Sequence, residues 1–327
     1  MKKKFLTLVA ICAVMTANAT VLRVSNVNGS TAPYSTIKAA HDAANAGDTI
    51  MVDGSETEYE LTEISKRLVL IGPGFWINEN GLVQEAIPAA KTRFLVKYAA
   101  AGTVIKGFCL YSHINYAIRI NADNCVVSRC NLSSSSYYGV EFGRDDNETP
   151  IPTGAVIHQN YFRNCNIRAV NIMMTNVQIT NNIFAHSDQS VDDIRDISNS
   201  YIAYNTMICT DEKSMWKNFN TVHSSSIENN IIWNKSVRYS NIGIEDDNEW
   251  GDNLVKNIIS PENVTTDKDV QTAELAVSEG KYGAFAGDSP YVISGMPAAP
   301  VIEDLVVPTT VEAGSKMNVT IKIGIQK

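Results

Sequence analysis

A six-residue template recurs between residues 103 and 259, and it limits the fold more than any other feature of the chain. It opens with a β-branched or aliphatic residue. Two variable residues follow, then a position that is usually Asn, one more variable residue and an apolar residue. The copies read Val127-Ser-Arg-Cys130-Asn-Leu132, Ile157-His-Gln-Asn160-Tyr-Phe162, Ile179-Thr-Asn-Asn182-Ile-Phe184, Ile202-Ala-Tyr-Asn205-Thr-Met207, Ile227-Glu-Asn-Asn230-Ile-Ile232 and Leu254-Val-Lys-Asn257-Ile-Ile259, with a weaker copy at Ile105-Lys-Gly-Phe108-Cys-Leu110. Successive fourth positions lie 22 to 30 residues apart, a period that belongs to stacked repeats.

A second motif keeps step with the first. Ala117-Ile-Arg-Ile120, Gly139-Val-Glu-Phe142, Ala169-Val-Asn-Ile172 and Ser190-Val-Asp-Asp-Ile194 alternate in polarity, as half-buried strands do. Ile118, Val140 and Val170 each follow the first motif's opening residue by thirteen. Two short strands at fixed phase exclude a helical solenoid. A coil of about this length holds three strands and three turns, and it buries its apolar face only by stacking on its neighbours. The expected fold is therefore all-β: a right-handed parallel β-helix. Asn160, Asn182, Asn205, Asn230 and Asn257 are expected to form a ladder at the turns, each amide bonding the next and satisfying backbone groups.

The N-terminal region adds a cap. Ser35 to Gly47 reads as an amphipathic helix with Ser35 as N-cap, and Asp48-Thr-Ile-Met-Val52 as the first strand. Such a helix would plug the open end of a solenoid, where strand edges are unpaired. Before it, residues 1–19 read as a signal peptide: Lys2, Lys3 and Lys4 precede an apolar run, and Ala17-Asn-Ala19 fits a cleavage site after Ala19. The expected division is a signal peptide (1–19), a lead segment (20–33), a capped β-helix (34–262) and an exit segment with a C-terminal β cap or edge hairpin (263–327). The protein is expected to be secreted, periplasmic or on the cell surface, with no membrane span, and to be a monomer. Its five remaining cysteines read as small fillers of a stacked core.

The repeat, together with Tyr34-Ser-Thr-Ile-x-x-Ala40 and Ala46-Gly-Asp-Thr-Ile50, resembles the pectate-lyase-like superfamily of β-helices over roughly residues 34 to 260. The cap resembles that of many exported β-helix proteins, and the closing strands resemble the closing segment of exported Bacteroidetes-type members. That resemblance implies a polysaccharide or surface glycan as partner, and polysaccharide lyase or glycoside hydrolase chemistry where there is catalysis. A non-catalytic surface or adhesin-type protein is the alternative from another class. The formal charge is −8, and −11 once three lysines leave with the leader. Such a balance argues against nucleic acid, and it admits an acidic glycan only through a bridging cation such as Ca²⁺.

Outward residues of stacked strands form rows about 4.8 Å apart. One expected row is Arg119, Glu141, Asn171 and then Asp192 or Asp193, beside a polar loop from Arg144 to Glu148. Another is Lys106, Ser128, His158, Thr180, Ala203 and Glu228. Arg119, Glu141, His158, Trp216 and Trp250 are candidate substrate-binding residues, the indoles as platforms for a sugar face. Asp192, Asp193 and Asp196 could hold Ca²⁺. Asp192, Asp193, Arg195 and Arg144 are candidate catalytic residues, since clustered carboxylates can supply an acid and a base, and an arginine a lyase base. A polygalacturonase-like hydrolase would pair Asp192-Asp193 with Gly-His-Gly and Arg-x-Lys coils, and neither follows here.

Overall fold

The structure is a computed structural model that describes residues 19–77, 79, 89–112, 115–134, 138–186, 192–209, 217–234, 242–256, 264, 266–271, 280–296, 300–308, 310, 316–317 and 319–325. It is the parallel β-helix expected from the repeat. One full coil runs Val126–Ser128, Asn131–Ser134, Tyr138–Phe142, and the next begins at Val156–His158. Stacking places the three strands of each coil in three parallel sheets, here termed A, C and B in chain order, of ten, eight and eight strands among the described residues.

The template explains the interior. Its first position points inward from sheet A, so Ile105, Val127, Ile157, Ile179, Ile202 and Ile227 stack in register, none more than 1% exposed. Its sixth position points inward from sheet C as Leu110, Leu132, Phe162, Phe184, Met207 and Ile232. Phe162 and Phe184 lie face to face, 4.6 Å between centroids. Each such side chain withdrawn from water contributes about 1.5–3 kcal/mol before entropy is counted.

Between sheets A and C the chain turns through one left-handed residue per coil: Gly107, Arg129, Gln159, Asn181, Tyr204 and Asn229. The ladder Asn follows directly. Asn160, Asn182, Asn205 and Asn230 are fully buried, and each Oδ1 accepts both the backbone N–H and, where the preceding rung is an Asn, its amide. The next rung is Asn253, whose Oδ1 accepts the Asn230 N–H at 3.0 Å. Asn257 lies outside the described residues, and the ladder phase expected there is four residues late. Leu254 pairs with Ile231 in sheet C, which leaves Trp250 opposite Ile227 in sheet A.

A similar slip corrects the second motif. Ile167, not Val170, lies in register with Val140, so Arg168 stands beside Glu141 where Asn171 was expected. Arg195, and neither Asp192 nor Asp193, continues that row.

The capping helix spans Ile37–Ala43 and buries Ile37, Ala40 and His41. Its N-cap is Thr36, whose Oγ1 accepts the Ala39 N–H, one residue after the Ser35 expected. At the other end the chain doubles back. Residues 280–296 run along the outside of sheet C toward the N-terminus. Gly283 bonds Asn229, Ala284 bonds Thr206, Asn181 holds Ala284 and Ala286, Gln159 holds Pro290, Arg129 holds Met296 and Ser294 holds Phe75. Under this strap lies a second apolar core of Tyr161, Ile183, Ile208, Ile231, Trp233, Ala284 and Tyr291. Pro300–Val306 and Thr320–Ile325 form an antiparallel pair that, among the described strands, joins neither sheet edge. No described helix is long and apolar enough to cross a membrane.

Candidate functional site

The strap covers the C-terminal stretch of sheet C, and the outward surfaces of sheets A and B lie clear of it. On sheet B the register aligns Glu63, Leu95, Arg119, Glu141, Arg168, Arg195 and Asn220 in one row. Glu141 sits at its middle, 5% exposed at the side chain, between two guanidiniums. Its Oε1 accepts from Arg119 Nη1 at 3.1 Å, and its Oε2 accepts from Arg168 Nε at 3.1 Å and Nη2 at 2.6 Å. The Arg168 pair is the two-pronged donor fork that holds a guanidinium plane in place. Arg168 also stacks on Tyr138, 3.1 Å from the ring centroid, and Arg119 lies 5.9 Å from the ring of Tyr116. Tyr116 and Tyr138 are themselves in register and half-buried. Burial pushes the Tyr116 phenol above its usual range.

The insertion after Phe142 braces one side of this row. Asp145 accepts from Asn121 Nδ2 at 2.7 Å and from the Tyr98 backbone N–H at 2.9 Å, and pairs with Lys97 at 3.2 Å. Although burial opposes it, these donors hold the Asp145 carboxyl below the usual carboxylate range. Asn121 in turn accepts from Arg119 Nε. Arg144 turns into its own loop and donates to Asn147 O at 3.2 Å.

Asp192 and Asp193 do not converge. Asp193 is fully buried, accepting from Asn218 Nδ2 at 2.7 Å and facing His186 Nε2 at 2.6 Å. Burial raises its pKa, against the pull of His186. Asp192 faces the other way, accepting from Asn220 Nδ2 at 2.8 Å, and Asp196 pairs with Arg195 at 3.1 Å. These three carboxylates therefore do not fit a shared Ca²⁺, which needs several oxygens turned to one point. Among the described residues no three His, Cys, Asp or Glu side chains gather as metal ligands would.

The remaining candidates scatter. His158 lies on sheet A, its Nδ1 2.8 Å from Thr180 Oγ1, and burial holds its pKa below the usual histidine value. The row Lys106, Ser128, His158, Thr180, Ala203 and Glu228 forms as expected, on a different face from Arg119. Trp250 takes the inward position of its coil, packing edge-on against Phe219 at 6.3 Å, so it is no exposed platform. Trp216 lies outside the described residues. Sequence reasoning missed Tyr116 and Tyr138, and it offered Arg168 only as one of several basic side chains available as a lyase base, without its place beside Glu141. The signal for the tyrosines was the recurrence of Tyr three residues before Arg119 and Glu141, legible once the strand register is known.

No family model matches this chain, and no curated protein matches it. Among solved structures it is similar to the crystal structure of pectate lyase Pel9A, with 15% identity over 85% of this chain and 90% of that one, at a TM-score of 0.27.

Proposed function

We propose that this protein binds a polysaccharide chain laid along sheet B, across Arg119, Glu141, Arg168 and Arg195, with Tyr116 and Tyr138 offering ring faces to the sugars. The observation that carries this reading is the Arg119–Glu141–Arg168 clamp. It fixes planar guanidiniums on the two coils that flank Glu141, about 9.6 Å apart at two strand spacings, close to the length of two pyranose units along an extended chain. Holding those side chains before the ligand arrives removes part of the ordering cost of binding. Along this row and its edge, Glu141, Asp192 and Asp196 each already accept from a guanidinium or an amide. That arrangement suits recognition better than proton transfer, so binding without turnover is the preferred form, at or beyond the cell surface.

Affinity electrophoresis and calorimetry against neutral and acidic polysaccharides test it, with release of unsaturated and reducing ends followed in parallel. Binding to at least one polymer is expected, weakened about tenfold or more by Arg168→Ala and by Tyr138→Ala, and unchanged by Lys106→Ala on sheet A. A loss of tenfold corresponds to about 1.4 kcal/mol, well within what a stacked guanidinium and ring supply. Absence of binding across the panel, or binding indifferent to both sheet B substitutions, overturns the proposal. Release of new chain ends would replace binding alone with catalysis.

A further inference from the structure

The outward row of sheet C changes character along its length. From the C-terminal end it reads Leu254, Ile231, Thr206, Ile183 and Tyr161, and it then turns polar as Asn131, Cys109 and Lys91. The strap covers the first stretch and meets its needs: the Thr206 hydroxyl accepts the Ala284 N–H at 2.9 Å. It ends on Phe75 and Trp76, where Ser294 O accepts the Phe75 N–H and Ser294 Oγ lies 3.3 Å from Trp76 O. Just beyond, a cavity of about 280 Å³ opens, with Asn131 and Cys109 deep in its lining, Phe75 and Trp76 along it, and Glu56, Glu79 and Lys91 as its exposed members.

Asn131 is only 5% exposed, and its Oδ1 is buried without a hydrogen-bond partner. A buried acceptor left open is costly, and native structures leave few of them. The residue that carries it lines a cavity that also presents an indole, two carboxylates and an ammonium. A ligand that satisfies this set carries several hydroxyl donors, at least one acceptor for Lys91 and an apolar face for Trp76. From this we infer a second ligand site, between the end of the strap and sheet C, that takes a small polyhydroxylated molecule of monosaccharide size. It shares no residue with the sheet B row and does not depend on that row being a binding face.

Calorimetry of the full chain with hexoses, hexosamines and uronic acids, alongside glycine and ethanolamine as small charged controls, tests this. Emission from Trp76 is followed by comparing the native chain with Trp76→Phe. At least one sugar is expected to bind and to change Trp76 emission. Asn131→Leu, close in size but without the acceptor, should weaken that sugar at least tenfold while leaving the thermal midpoint unchanged or higher. Arg168→Ala should leave it unaltered, which separates this site from sheet B. No heat or emission change with any sugar, equal affinity in Asn131→Leu, or binding only by glycine or ethanolamine would each overturn the inference. Should Asn131→Leu fail to fold, Glu56→Gln reads the same site from its rim and should weaken the same sugar.

Discussion

Replacing Asn182 by Ala should destabilise the protein by about 2–5 kcal/mol. Four hydrogen bonds run through this side chain. Its Nδ2 donates to Ile157 O at 2.8 Å and to Asn205 Oδ1 at 3.0 Å, and its Oδ1 accepts the Asn160 N–H at 2.9 Å and the Asn160 amide at 3.0 Å. The damage is unequal. Asn205 Oδ1 keeps the Asn182 backbone N–H, and Asn160 Nδ2 keeps Val127 O. The Asn160 N–H, however, loses its acceptor in a site with no exposure. An orphaned buried group costs about 1–3 kcal/mol, and the other lost bonds about 0.5–1.5 kcal/mol each at most. Against a typical domain stability of about 5–15 kcal/mol that is a large share.

Urea unfolding followed by circular dichroism measures it. Asn147→Ala, in an exposed loop where only its carbonyl is engaged, should stay within about 0.5 kcal/mol of the native chain. Asn182→Asp is the sharper variant. It keeps both acceptor roles, loses both donor roles and sets a carboxylate against two oxygens. Its folded-state pKa must therefore rise, so its deficit should be largest near neutral pH and shrink as pH falls and the carboxyl takes a proton. An Asn182→Ala chain within about 0.5 kcal/mol of native, or an Asn182→Asp deficit that does not move with pH, would refute the ladder as a source of stability.

Asp48 accepts the backbone N–H groups of Thr20 and Asn45, which lower its pKa below 3.8. A lowered folded-state value gives stability that is complete above the unfolded value of about 4 and is lost as pH falls through the folded one. Thermal midpoints taken from pH 7 down to about pH 3 should therefore converge for native and Asp48→Asn chains, the native being higher only at the upper end. Gly295 has a φ of 56°, and a Cβ there would fall on Arg129 O and the Phe75 ring. Gly295→Val should lift the end of the strap, costing about 1–3 kcal/mol and raising binding of a hydrophobic dye to the uncovered face of sheet C, whereas an unchanged midpoint and dye signal would mean the strap is not held there.

The solenoid was legible because its template records one physical fact many times over. Ile at the first position and Asn at the fourth are dictated by an interior and a turn that every coil shares, so each copy supports the others. What the repeat could not fix was phase, wherever a coil departed from the pattern. Alternation with period two marks a strand but does not say which residue lies above which. After the insertion at 143–154 both Ile167 and Val170 satisfy it, and only the hydrogen-bond register selects Ile167 and brings Arg168 to Glu141. Asp192 and Asp193 look like a pair on paper, yet neighbours in an extended chain face opposite ways, one into the protein and one out. The strap was illegible for another reason: Asn181, Gln159 and Arg129 look like ordinary turn residues until the segment they hold is in view.

The last coil gives a direct test of register against pattern. Leu254-Val-Lys-Asn257-Ile-Ile259 repeats the template well, while Trp250-Gly-Asp-Asn253-Leu-Val255 repeats it poorly, with Trp in place of Ile. The hydrogen bonds choose the second. Asn253 Oδ1 accepts from the Asn230 N–H and Nδ2 at 3.0 and 2.9 Å, and its Nδ2 donates to Ile227 O at 2.7 Å. A large ring is tolerated at the first position because the coil is the last described one of sheet A and Phe219 offers an edge to pack on. Asn253→Ala should then cost about 1–2 kcal/mol, less than Asn182→Ala because this rung is only part-buried and water can reach the groups it leaves. Urea unfolding of Asn253→Ala and Asn257→Ala side by side reads the answer. A larger loss from Asn257→Ala would return the ladder to the phase of the pattern and undo the placement of Trp250.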